Sequence, residues 1–273
     1  MTGAQTRRRR RLSGGRIGSW IVFLVGVVYF FLPLFATLAF SLRLQPFAQA
    51  YINVISFDPH FASSLIYSTV VGILTIVISI LIIVPTAYWV RLRLPRLRPY
   101  VEFITLLPFV IPPVILVFAL LRAYSGGPVP LATSDSGLNV LVVAAYVVLS
   151  FPYMYRAIDS GLRAIDIRTL TEAAQSMGAG WVRILWAVIL PNLRVALISG
   201  AFLTLAIVIG EYTIASFLVR PAFGPYLALL GHDRAFEPAA VSIISFGLTW
   251  LAMGMIALLG RGSRQSVQVA GAR

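Results

Sequence analysis

There is no lysine and no cysteine anywhere in this 273-residue chain, and it holds just two histidines, His60 and His232. Each absence closes off a class of chemistry. Without lysine, a Walker A phosphate loop and a Schiff-base mechanism are both excluded. Without cysteine there can be no thiolate nucleophile, disulfide or cysteine metal site. The two histidines stand apart in connecting segments, where an imidazole is more often solvated than metal-bound, so neither a metal nor another cofactor is expected. Acidic residues are scarce as well, nine against 22 arginines, for a formal net charge of +13. No pair of carboxylates shares an apolar run, and nothing in those runs assembles a catalytic group. The chain is therefore not expected to be an enzyme, and any energy it uses must come from outside the chain.

What the chain has in abundance is apolar surface: 59% of residues are hydrophobic and 11% charged, with a mean hydropathy of +0.90. A soluble domain of this length needs more polar surface to cover itself, which places the chain in a bilayer. Six runs, at about 18–40, 65–90, 101–121, 138–155, 195–218 and 239–260, match the roughly 20 helical residues that a hydrocarbon core requires. None shows the period-two alternation of a barrel strand. The expected fold is all-α and integral to the membrane, with six transmembrane helices. A basic tail (1–17), a membrane domain (18–260) with a polar loop at 156–194, and a short tail (261–273) complete it. A basic block ahead of an apolar run can be a cleaved signal. Here the run is too long for a signal core and contains Pro33, so it reads as a retained first span.

Arginine placement orients the helices. With the N-terminus inside, the inner side carries Arg7 to Arg11, Arg16, Arg91, Arg93, Arg96, Arg98, Arg156, Arg163, Arg168, Arg183, Arg194, Arg261, Arg264 and Arg273. The outer side keeps Arg43, Arg122, Arg220 and Arg234. That asymmetry predicts both termini in the cytoplasm. It also assigns the positive charge to membrane lipid headgroups rather than to nucleic acid. Prolines punctuate the spans at Pro33, Pro85, Pro108, Pro112, Pro113 and Pro152. Each removes an amide donor and bends or breaks its helix, which argues against a straight third span. Such kinks suit a pathway that opens and closes, and they also occur in bundles with no such role. The outer connections are too short to be a receptor domain, so capture of a solute outside would fall to another protein.

One polar island stands out in the inner loop: Glu172-Ala173-Ala174-Gln175-Ser176-Met177-Gly178, followed nine residues later by Val188-Ile189-Leu190-Pro191. Thr169 and Thr171 are candidate helix starts ahead of Glu172, an acid placed where a helix N-terminus favours negative charge. The two alanines give a smooth helical ridge, and Gly178 ends or bends it. Leu190-Pro191 then punctuates the run before the next apolar segment. The pattern resembles the EAA loop of binding-protein-dependent ABC importer permeases, the MetI-like family, with Val188 where isoleucine is usual. The six-span layout and Gly210-Glu211-Tyr212 extend the likeness over roughly residues 65–260, towards permeases for spermidine, putrescine and other polyamines, ferric iron and thiamine.

The resemblance implies a pore of two permease chains, a second copy or a paralogue. It also implies ABC ATPase subunits beneath the pore, an extracytoplasmic solute-binding protein above it, and a location in a bacterial or archaeal inner membrane. By position, Glu172, Ala173, Ala174 and Gly178 would form the coupling contact with the ATPase. Met177 and its apolar neighbours would fill a groove on that subunit, while Leu190 and Pro191 re-enter the membrane. A polyamine is the first expectation for the solute, with ferric, thiamine, phosphonate and sulfate-type solutes open. An ion-coupled secondary transporter, which would leave the EAA spacing as coincidence, is the competing class. Glu211 and Tyr212 are the candidate pathway residues. An ionised carboxylate within hydrocarbon costs roughly 2.5–3.5 kcal/mol on insertion scales. Glu211 therefore faces either a wet path or a partner such as an arginine or a helix terminus. Glu102, at the inner start of the third run, is expected at the interface.

Overall fold

A computed structural model of the chain describes residues 14–261, with side chains described at 18–251 and 254. The expected tails, including Arg7 to Arg11, lie largely outside the described residues. Within them the chain is helical throughout, with no strand. The main helices are α1 (Gly14–Ser41), α2 (Pro59–Leu92), α3 (Arg98–Val110), α4 (Pro113–Tyr124), α5 (Asp135–Arg163) and α6 (Ile167–Ser176). They continue as α7 (Trp181–Asn192), α8 (Arg194–Gly210), α9 (Thr213–Phe217), α10 (Phe223–Asp233) and α11 (Glu237–Arg261).

Helices α1, α2 and α5 are each long and apolar enough to cross a membrane unbroken. The 34 residues of α2 rise about 51 Å at 1.5 Å each, more than a hydrocarbon core needs. The third expected span is instead a bent pair, and a second bend precedes the fifth, at residue 193. The segment from Pro95 to Val110 meets α4 at 95°, and α7 meets α8 at 79°. The first bend follows from Pro112-Pro113: Ile111 is extended at φ −87°, ψ 115°, the conformation that a following proline imposes. Pro33, Pro85, Pro108 and Pro152 lie inside continuous helices. Proline therefore breaks the chain where two are adjacent and is absorbed where it stands alone.

Three expected boundaries need correction. The fourth helix continues beyond the expected span end at 155 to Arg163, which pairs with Asp159 one turn earlier. The fifth does not run unbroken to residue 218. It ends at Gly210, and Glu211 is extended at φ −75°, ψ 126° before α9 begins. Glu211 is thus at a helix break and not within a helix. The start of the polar-island helix is set by Asp166, which caps the Thr169 amide, rather than by Thr169 or Thr171.

Helices α2, α5 and α8 pack on one another as the centre of the bundle. Two apolar clusters fill it. At one end Ile83, Val84, Ala87 and Tyr88 of α2 meet Met154, Ile158 and Leu162 of α5 and Ile184, Leu185 and Ile189 of α7. Towards the other end Val71, Leu141, Val142, Tyr146, Val208, Ile214 and Leu218 form the second. A buried hydrogen bond of 2.6 Å joins the Ser79 and Ser150 hydroxyls between α2 and α5, satisfying two groups that hydrocarbon could not. Helix α1 packs mainly along α11 and leaves Trp20 to Phe35 exposed around most of its circumference, as expected of a helix solvated by lipid or covered by another chain.

Candidate functional site

The polar island folds as α6, a two-faced helix laid across the end of the bundle where α2 and α5 terminate. Its start is fixed twice by Asp166, whose carboxylate accepts the Thr169 amide at 3.2 Å and the Thr169 hydroxyl at 2.7 Å. Those hydrogen bonds hold the Asp166 carboxyl below the usual carboxylate range. Its end is equally well made. The Ala179 amide donates to the Ala174 carbonyl at 3.0 Å and the Gly178 amide to the Gln175 carbonyl at 2.9 Å, the two bonds of a Schellman cap. Gly178 takes the left-handed conformation this requires, φ +80°. No side chain could adopt it without a cost of roughly 1–2 kcal/mol.

One face of α6 is committed to its own chain. Ile167, Thr171 and Ala174 are buried, and the Thr171 hydroxyl lies 3.1 Å from the buried Tyr88 hydroxyl of α2. Trp181, just past the cap, packs against Trp89 with ring centroids 6.1 Å apart. Ala174, a candidate coupling residue by position, is 3% exposed within this cluster. It seats the helix on the bundle and offers no surface outward. Leu190 packs partly against the same cluster, and Pro191 is exposed.

The opposite face is free. Glu172, Ala173, Gln175, Ser176 and Gly178 are exposed, and Met177 projects with 80% of its surface accessible. An exposed pair with Arg168 at 3.4 Å is the contact of Glu172, a link worth about 0–1 kcal/mol and easily exchanged for another partner. Glu172, Ala173, Met177 and Gly178 are thus brought onto one outward surface, while Ala174 and Leu190 stand behind it.

Glu211 is nowhere near this surface and has company of its own. Its carboxylate accepts the Tyr146 hydroxyl at 2.9 Å, the Ile214 amide at 2.9 and 3.0 Å, and the Ala215 amide at 3.2 Å. It closes the open N-terminus of α9, where orphan amides and the helix dipole favour a negative charge. Gly224 follows from the same packing. A Cβ there would overlap the Glu211 carbonyl, so the chain entering α10 can pass only as glycine. Tyr212, the neighbouring candidate, is 52% exposed.

A second group of charged residues escaped the sequence reading. Asp159 of α5, 8% exposed, accepts Arg163 Nε at 2.9 Å and Arg98 Nη2 at 3.3 Å, with Arg91 Nη1 at 3.5 Å. Arg98 also donates to Glu102 at 2.8 Å, which places Glu102 at the margin of this cluster. The signal was present as i,i+4 spacing in Arg98–Glu102 and Asp159–Arg163, but nothing in the sequence joined the two pairs. Among the described residues, no group of three His, Asp or Glu residues is placed to hold a metal.

Comparison with known proteins accounts for this combination of a bent-helix bundle and a two-faced helix across its end. The family model described as the inner membrane component of binding-protein-dependent transport systems matches residues 84–265. The molybdenum transport system permease protein of Azotobacter vinelandii is 28% identical over 194 residues, covering 67% of this chain and 82% of that protein. The spermidine/putrescine transport system permease protein of Haemophilus influenzae is 26% identical over 221 residues, 74% of this chain and 75% of its own. A chain from the crystal structure of a bacterial ABC transporter that imports the acidic polysaccharide alginate matches with a TM-score of 0.62 at 20% identity. That match covers 96% of this chain and 99% of that one, a likeness of fold. The chain is an integral membrane permease that belongs to the family of inner membrane components of binding-protein-dependent transport systems.

Proposed function

We propose that this chain forms half of the translocation pathway of an ATP-driven importer in a prokaryotic cell membrane, and that α6 is the surface on which an ABC ATPase seats. A second permease chain would complete the pore, and an extracytoplasmic binding protein would deliver the solute. The observation that carries this reading is the free face of α6. Glu172, Ala173, Met177 and Gly178 face outward from a helix whose other face is buried in the apolar cluster it shares with α2, α5 and α7. A single apolar side chain held clear of a rigid base is what a partner groove grips. Because Thr171 of α6 and Trp181 at the start of α7 meet Tyr88 and Trp89, displacement of α6 by an ATPase would carry the end of α2 with it. ATP binding would supply the differential free energy, since nothing in this chain binds nucleotide tightly enough by motif to do so.

For the solute, the relatives point two ways. The spermidine/putrescine relative favours an organic cation, with Glu211 as its counter-charge and Tyr212 beside it. The molybdenum relative favours a small oxyanion. We prefer the oxyanion, because the Glu211 carboxylate already accepts three donors in four close contacts and has little capacity left for an ammonium group. Uptake of labelled molybdate, sulfate, putrescine and spermidine, compared between cells with and without the chain, separates the two. Loss of polyamine uptake alone would reverse the preference. Purification tests the class: the chain should bring down an ATPase, and uptake should stop when ATP is depleted while the ion gradient is held. Uptake that follows the gradient instead would mean a secondary transporter.

A further inference from the structure

Beside the Asp159 cluster, at the same end of the bundle as α6, lies a cavity of about 400 Å³ between α3 and α5. On α5 its wall is Pro152, Tyr155, Arg156, Asp159, Ser160 and Arg163, a spacing of three and four residues that puts all six on one helical face. Glu102, Thr105 and Leu106 of α3 stand opposite. The charges do not balance. Asp159 and Glu102 are answered by Arg91, Arg98 and Arg163, and Arg156 adds a fourth cation with no ion pair among the described residues. Three donors on this face are unspent: the Arg156 guanidinium, the Ser160 hydroxyl and the Tyr155 hydroxyl make no hydrogen bond among the described residues. Tyr155 is 4% exposed as a residue, and its unpartnered hydroxyl is accessible at the cavity it lines.

We infer that this cavity binds a phosphate group, held by Arg156 and Arg163 with Tyr155 and Ser160 as neutral donors. Phosphate accepts several hydrogen bonds at once and takes up guanidinium charge in paired contacts. Asp159 does not repel it, because three arginines surround that carboxylate, and the carboxylate in turn holds Arg163 at the wall through its Nε. Two sources carry this chemistry, an anionic phospholipid and free inorganic phosphate. The lipid fits better, since Leu106 and Pro152 give the cavity an apolar side and the arginine distribution puts this end at the inner leaflet, where anionic headgroups concentrate. The inference goes beyond transport and is independent of the solute.

The test uses the full chain purified alone, so that its outcome does not depend on an ATPase or a substrate. Thermal unfolding is followed with added phosphatidylglycerol, with phosphatidylcholine, and with inorganic phosphate. The wild type should gain roughly 5 °C from phosphatidylglycerol near saturation and little from phosphatidylcholine. Arg156→Gln with Ser160→Ala should weaken the phosphatidylglycerol response about tenfold in the concentration required, with Tm in phosphatidylcholine unchanged because both side chains are exposed and unpaired. A gain from inorganic phosphate as large as that from the lipid keeps the phosphate site and assigns it to the free ion. Arg96→Gln removes an exposed arginine outside the cavity. If it weakens the response as much as the paired substitution, the effect is diffuse surface charge and the inference fails. It fails too if neither phosphate source raises Tm.

Discussion

Ala173 and Ala174 are neighbours of one residue type with opposite duties. Ala174 is 3% exposed within the cluster shared by α2, α5 and α7, whereas Ala173 faces out. Ala174→Leu should overpack the cluster and cost about 1–3 kcal/mol, seen as a lower Tm. Ala173→Leu should leave Tm unchanged and reduce recovery of the ATPase on purification. Equal effects on both readouts would show that the two positions are not on different faces. Glu211 is the other residue whose surroundings define its role. Glu211→Ala strips the Ile214 and Ala215 amides and the Tyr146 hydroxyl of their acceptor. It should destabilise the chain by about 1–3 kcal/mol for the unpaired groups, with Glu211→Gln intermediate because one oxygen remains. Unchanged stability in Glu211→Ala, with altered solute selectivity, would return Glu211 to the pathway.

At the level of the element, α6 owes its shape to its ends. Its cap at Asp166 has a folded-state pKa below the ordinary carboxylate value. The sign follows directly: the ionised cap supports the helix at all pH above the ordinary range, and that support is lost as pH falls through the lowered value. The protection of amides in 167–178 against hydrogen exchange, relative to the intrinsic rate at each pH, should therefore be high near neutrality and fall in acid, and Asp166→Ala should be weakly protected throughout. Gly178, at φ +80° with no atom within 4 Å of where a Cβ would stand, presents a different case. A bulky Gly178→Leu finds open space within the chain but strains the cap and thickens the outward surface. Membrane level should hold while ATP-driven uptake collapses. Uptake at the wild-type rate would remove α6 from the coupling role.

Over the whole molecule, what was legible in the sequence was set by range. The long apolar helices and the polar island follow from hydropathy and spacing along one helix, and the helix break at Ile111–Pro112 follows from adjacent prolines. The end of α8 at Gly210 was not legible, because an apolar run continues through Leu218, whereas Glu211 leaves the helix to accept the Ile214 and Ala215 amides and the distant Tyr146 hydroxyl. The burial of Ala174 and the Asp159 cluster were hidden for the same reason. The first depends on the packing of α6 into a cluster built by α2, α5 and α7, and the second on contacts of α5 with α2 and α3, neither of which a local pattern encodes. The orientation on which the coupling role rests comes from arginine counts alone, and the absence of cysteine makes it directly measurable. Met177→Cys would carry the chain's single thiol on the exposed tip of α6, and Val129→Cys, 55% exposed in the α4–α5 connection, would carry it at the far end. With a membrane-impermeant maleimide, Val129→Cys should label in intact cells, and Met177→Cys should label only once the membrane is opened. Labelling of Met177→Cys in intact cells would put α6 outside, beyond the reach of any cytoplasmic ATPase, and would contradict the account.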